Sequence, residues 1–154
     1  MNEITNNSLF EQIKNLIEQT KNNVAIAVNS SLTIMYWEIG NKINQDILKN
    51  RRAEYGKEIV VTLSRQLQDN FGKGFDEKNL RRMMQFANAI EKQKVVTLSR
   101  QLSWSHFLAL LPLQESLKIE FYAQMSIVQN WGVRTLRERI DSMLYERTAL
   151  SKQP

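Results

Sequence analysis

At 154 residues, 42% apolar and 24% charged, the chain has the size and composition of one soluble domain with room for a proper core. It has no cysteine and one histidine, His106, which excludes disulfides, thiolate catalysis, thiolate zinc sites and a His-rich metal site. The net charge of +5 is unevenly spread: residues 1–50 carry four Lys/Arg against five Asp/Glu, residues 51–100 eleven against six, and residues 101–154 six against five.

A basic segment inside a near-neutral chain suits a nucleic-acid phosphate surface; the alternative is a solvated face with no partner. No signal peptide is expected from the first ten residues, and the longest apolar runs, such as Phe107 to Leu113, are too short to span a bilayer. The expected compartment is the cytoplasm, with no membrane partner.

Few glycines and prolines punctuate the chain, no alternating strand pattern appears, and an all-α fold of six to eight helices is expected over a single domain, 1–154. Ser8 and Glu11 have capping-box spacing, and Phe10, Ile13, Leu16 and Ile17 follow at helical intervals. A second helix is expected from about Asn22 to about Leu48, with Val24, Ala27, Val28, Ile34, Trp37, Ile43 and Ile47 inward. Asn29-Ser30-Ser31 reads either as a kink or as polar surface. Asn50 to Gly56 is a charged break, and Asn70 to Asp76, with Gly72 and Gly74, reads as a loop.

Asp76 is the expected N-cap of a helix from Glu77 to about Ile90, stapled by Phe75 on Leu80 and buried along Leu80, Met83, Ala87 and Ile90. Ser103 or Ser105 caps an apolar helix containing Phe107, Leu108, Leu110 and Leu111. Pro112 either ends that helix or opens the next, which runs from Leu113 to about Val128. Asn130-Trp131-Gly132 is a turn. A last amphipathic helix is expected from Val133 to about Ala149, with Leu136, Ile140, Met143 and Leu144 inside.

One octapeptide, Val-Val-Thr-Leu-Ser-Arg-Gln-Leu, occurs at 60–67 and again at 95–102. Leu-Ser-x-x-Leu is the spacing of the first helix of a helix-turn-helix, where the small Ser lets a second helix cross closely. The residues after each copy differ. Copy one leads into a Gly-containing loop and a capped helix with cationic and amide side chains. Arg bridges guanine O6/N7, Gln and Asn bridge adenine N6/N7, and Lys holds phosphates. The candidates are Arg65, Lys73, Lys78, Asn79, Arg81, Arg82 and Gln85. The bland alternative is a surface helix whose Arg81 and Arg82 pair with Glu77 or Asp76. Copy two leads into Trp104, His106, Phe107, Leu108 and Leu111, which offer little polar edge to a groove and suit a core or a dimer interface.

His106 has no matched nucleophile and reads as a structural hydrogen-bonding residue rather than a general base. Trp37, Trp104 and Trp131 read as core anchors before base-stacking platforms, and the Met residues as gap fillers. Arg134, Arg137 and Arg139 alternate with acids on a solvated or partner-facing helix. No phosphate-cradling Gly loop is present, and no catalytic residue, metal site or cofactor is assigned.

Tyr36-Trp37-Glu38-Ile39-Gly40, Tyr55-Gly56, Leu63-Ser64, Gly74-Phe75, Asn79-Leu80, Gln101-Leu102-Ser103-Trp104-Ser105-His106, Trp131-Gly132-Val133-Arg134 and Leu144-Tyr145-Glu146-Arg147 together resemble the N-terminal domain of YhcG-like proteins, from about residue 10 to residue 150. In that family the helical region precedes a PD-(D/E)XK-type nuclease domain. The resemblance implies a DNA-binding role for this part. The nuclease motif has no counterpart in the 154 residues, so nuclease activity is not carried over and the chain is not expected to be an enzyme. The combined expectation is a homodimeric DNA-binding module that targets or positions a nuclease. Its rival is a protein-interaction or dimerisation module, whose partner is a nuclease half or another protein.

Overall fold

A chain with so few glycines and prolines has few points at which a helix must stop, and the first helix runs for 48 residues. The computed structural model describes residues 2–50 and 54–151; for 2–7 and 151 only the backbone is described. Eight α-helices are present among them and no strand: α1 (Asn2–Lys49), α2 (Tyr55–Phe71), α3 (Glu77–Ala89), α4 (Lys92–Leu98), α5 (Trp104–Leu110), α6 (Ser116–Val128), α7 (Val133–Asp141) and α8 (Leu144–Ser151). Short 3₁₀ turns at Lys73–Phe75 and Leu111–Leu113 precede α3 and α6. None of these helices is long and apolar enough to cross a membrane.

The two helices expected before residue 50 are one. Ser8 is inside α1 rather than at its cap, because helical backbone already continues ahead of it and leaves no end to cap. The helix runs unbroken through Asn29-Ser30-Ser31. Asn29 reaches out of α1 and donates from Nδ2 to the carbonyls of Ser99 (2.9 Å) and Leu102 (3.1 Å), and Ser30 Oγ lies 2.7 Å from Ser99 Oγ. Asn29 and Ser30 form a polar dock for the second octapeptide, and Ser31 is exposed polar surface.

Past residue 29, α1 is the spine of the body. Each residue of Tyr36-Trp37-Glu38-Ile39-Gly40 has its own partner. Tyr36 packs on the Trp104 ring with centroids 5.0 Å apart. Trp37 Nε1 donates to the Ile90 carbonyl at the end of α3 (2.7 Å), and Glu38 pairs with Lys92 of α4. Ile39 packs on the cluster of Ile43, Val60, Leu80 and Met83. At Gly40 the backbones of α1 and α3 meet so closely that a Cβ would stand 1.9 Å from the Met83 carbonyl oxygen. One turn on, Asn44 Nδ2 donates to the Met84 carbonyl (2.9 Å) and to Asn88 Oδ1 (3.1 Å).

The larger core gathers Phe86, Ile90, Val95, Leu102, Phe107, Leu110, Leu111, Ile119, Tyr122, Ala123 and Leu136. Trp104 packs against both clusters and joins them. Phe86, rather than the half-buried Ala87, fills the third inward position of α3; its ring meets those of Trp104 and Phe107, each with centroids 5.0 Å apart. Pro112 sits inside a 3₁₀ turn, and α6 starts only at Ser116 because Gln114 takes a positive φ of 63°.

The expected last helix is split. Met143 has φ 59° and is 55% exposed, so it is not an inward residue. The bend re-aims α8 onto α6: Tyr145 N–H donates to the Tyr122 hydroxyl (3.0 Å), and its ring meets Phe121 edge-on. Lys118 pairs with Glu146 at 2.8 Å, a hydrogen bond that holds the carboxyl below the usual carboxylate range.

The surface area is 11062 Å², whereas a compact monomer of this mass exposes about 8,000 Å². Much of the excess lies in the first half of α1, where every residue from 8 to 28 is exposed.

Three substitutions test this frame. Gly40→Ala gains helix propensity, but its Cβ meets backbone that cannot turn aside, and we expect a loss of about 2–3 kcal/mol or more. Gly56→Ala, whose Cβ would make ordinary 3.5 Å contacts with Ile47, is expected to be neutral. Thermal melts followed by circular dichroism check both, and equal melting temperatures for the two variants would refute the close crossing. Asn29→Ala leaves two carbonyls without their donor. We expect it to cost about 2 kcal/mol and to lower the melting temperature by roughly 4–8 °C; an unchanged melt would remove the dock from the argument.

Candidate nucleic-acid interface

The helix after copy one starts where the acid–amide pattern places it. Asp76 has extended backbone and accepts from Asn79 N–H at 2.8 Å. The Asn79 side chain turns back and donates to the Gly74 carbonyl at 3.2 Å, closing the loop against the helix. Phe75 packs on the cluster containing Leu80, and its ring meets Phe71 edge-on at 6.0 Å. The loop is shorter than its composition suggests: α2 continues to Phe71, and Gly72, at φ 93°, makes the turn.

With Leu80, Met83 and Phe86 inward, helical geometry puts Lys78, Arg81 and Gln85 in one row on the opposite side, spaced i, i+3 and i+7. Lys78, Arg81 and Gln85 are exposed and Arg82 is half-buried on the flank of the row. Lys73 is exposed at the start of the 3₁₀ turn, and Arg65 is exposed on α2. Among the described residues, ion pairs join Lys92 to Glu38, Lys118 to Glu146 and Arg134 to Glu138, and none involves Arg65, Lys73, Lys78, Arg81 or Arg82. The expected alternative, Arg81 and Arg82 neutralised by Asp76 or Glu77, is not what the side chains do. Asn79 is occupied in the loop, and Gln85 Nε2 makes a long contact with the Leu111 carbonyl (3.4 Å). The cations are therefore the groups of this face most available to a ligand.

The helix after copy two lies within this chain's own core. Phe107 and Leu111 are buried, and Trp104 and Leu108 are half-buried against the larger cluster. Ser103 caps α5, and His106 completes a capping box: its Nδ1 accepts from Ser103 N–H at 3.1 Å. That bond leaves the ring proton on Nε2, which donates to the Trp131 carbonyl at 2.9 Å. Both ring nitrogens are thus engaged in tying α5 to the turn before α7. Among the described residues no group of three or more His, Asp and Glu side chains is placed to hold a metal ion.

Sequence reasoning missed one large surface, the bare first half of α1. Its apolar positions were visible, but their spacing cannot tell a helix buried in its own domain from one that is not.

The comparisons with known proteins agree with one another. The family profile of the DUF1016 N-terminal domain matches residues 12–147. A protein of Escherichia coli (strain K12), named "Putative nuclease YhcG", is 26% identical over an alignment of 174 positions covering 93% of this chain. The chain spans 46% of that relative's length, about half. No solved structure matches. With a match over most of its length, the chain belongs to the DUF1016 N-terminal domain family.

Proposed function

We propose that this domain is the DNA-contacting module of a nuclease-associated protein, with α3 as the element that meets the duplex. The observation that carries the reading is the unpaired cationic row of Lys78 and Arg81, flanked by Arg82 and Lys73, on a helix held rigidly from behind by α1. Cations left without protein partners keep their charge available to phosphate oxygens, and a helix clamped along its other side presents them in fixed register. Arg65 on α2 extends the same reading. The name of the Escherichia coli relative supports a link to nuclease chemistry, which would belong to the part of that protein outside the stretch matched here.

The rival reading, a protein-interaction module that does not bind DNA, is favoured by the apolar face of α1 and needs none of these cations.

A salt-titrated anisotropy measurement with labelled duplex DNA separates them. The Arg81→Ala/Arg82→Ala double variant is expected to lose about tenfold in affinity or more and to flatten the log K against log salt slope by about 1–2. The Arg134→Ala/Arg137→Ala variant on α7 removes the same charge and is expected to bind like wild type. An equal loss in both variants would overturn the placement on α3, and no binding by the wild-type chain would favour the rival.

A further inference from the structure

The first half of α1 stands off the body, and its apolar residues are not scattered. At 3.6 residues per turn, Phe10, Ile13, Ile17, Val24, Val28 and Met35 fall within about 60° of one another around the helix, along roughly 38 Å of its length. They are 62%, 48%, 49%, 57%, 53% and 37% exposed. The face of α1 that packs on the body, through Thr33, Trp37, Gly40, Ile43, Asn44 and Ile47, is centred about 150° away. The stripe is therefore not an extension of the core seam. It runs along the back of the spine, from the free arm to a position beside the body, and no described residue of this domain buries it.

We propose that this stripe is a self-association surface, and that a second copy of the chain occupies it through α1–α1 pairing. Three observations select that occupant. The first is area. Six half-exposed stripe residues, widened by Leu9, Leu16 and Leu32, present roughly 700–800 Å² per copy, the size of a standard specific interface. The second is charge. Residues 8–28 carry Glu11, Lys14, Glu18 and Lys21 and are neutral in sum, although the whole chain is +5, so two arms meet without repulsion. An acidic or basic partner would find no complementary field there. The third is the small number of polar residues at the seam, Thr20 beside it and the exposed Ser31 between Val28 and Met35. Thr20 Oγ1 already donates to the Leu16 carbonyl at 2.9 Å, so covering it strands no donor. An isolated helix of the arm's length is marginal in water; pairing stabilises both copies along the same line.

The test is light scattering on the full chain with Ile17→Asp/Val24→Asp beside wild type. Both positions are exposed, so the variant is expected to keep its fold, and its melting transition verifies that. Wild type is expected at twice the 18.1 kDa chain mass and the folded variant at the single-chain mass. A variant that melts early is replaced by Ile17→Gln/Val24→Gln, with the same expectation. Wild type monomeric up to its solubility limit, or a folded variant still dimeric, would overturn the proposal. So would a monomer that co-sediments with anionic phospholipid vesicles, since the stripe would then serve a lipid surface. DNA affinity does not enter these readouts, so this inference and the α3 reading fail independently.

Discussion

Helix α1 reaches the backbone of α3 because residue 40 has no side chain. At that point a single methyl group would overlap the Met83 carbonyl, and everything nearby is arranged around the contact. Trp37 on one side and Asn44 on the other hydrogen-bond to the carbonyls of Ile90, just past the end of α3, and of Met84 within it, so the crossing is held by polar bonds as well as by packing. Such bonds to main-chain oxygen depend on where the helix lies and not on which side chains it carries, which lets them fix its position. The outward row of α3, with its free cations, inherits its orientation from this clamp. If α3 meets DNA, its aim is set from behind by Gly40.

The repeated octapeptide shows how little a local sequence decides once its surroundings differ. In copy one all eight residues are helical within α2, and the buried Ser64 accepts from Gln68 Nε2 at 2.8 Å. In copy two the helix ends at Leu98 and the chain turns through Ser99 to Gln101. Ser103 N–H would reach the Ser99 carbonyl if the helix continued. It instead donates to His106 Nδ1, while Asn29 supplies the donor to Ser99. The turn is thus held by a residue 70 positions away and by the first turn of the next helix. The burial of both copies is nonetheless alike, with Val60 and Val95 and then Ser64 and Ser99 inward. The shared pattern specifies a face, and the context specifies where the helix stops.

Two surfaces of different chemistry result. The α3 row is cationic and shaped by the body, whereas the α1 stripe is apolar and lies on its outer side. The proposed DNA-contacting face and the proposed self-pairing face share no residues. Pairing along α1 would present the basic row twice, an arrangement that suits a two-fold duplex site.

The sequence alone determined the helical class, the cap at Asp76, the turn at Asn130–Gly132 and the outward placement of Lys78 and Arg81, and it narrowed the cap of α5 to Ser103 or Ser105. Each of these rests on contacts between near neighbours in the chain, which periodicity and capping chemistry report directly. Tertiary structure decided the rest. It made Asn29 a dock for the second octapeptide, because its partners are 70 and 73 residues away. It put Phe86 into the core in place of Ala87, because Trp104 and Phe107 arrive there from another helix. It also left the stripe from Phe10 to Met35 in solvent. A periodic apolar face states that a helix has a side to cover, but only the positions of the other helices decide whether the same chain covers it.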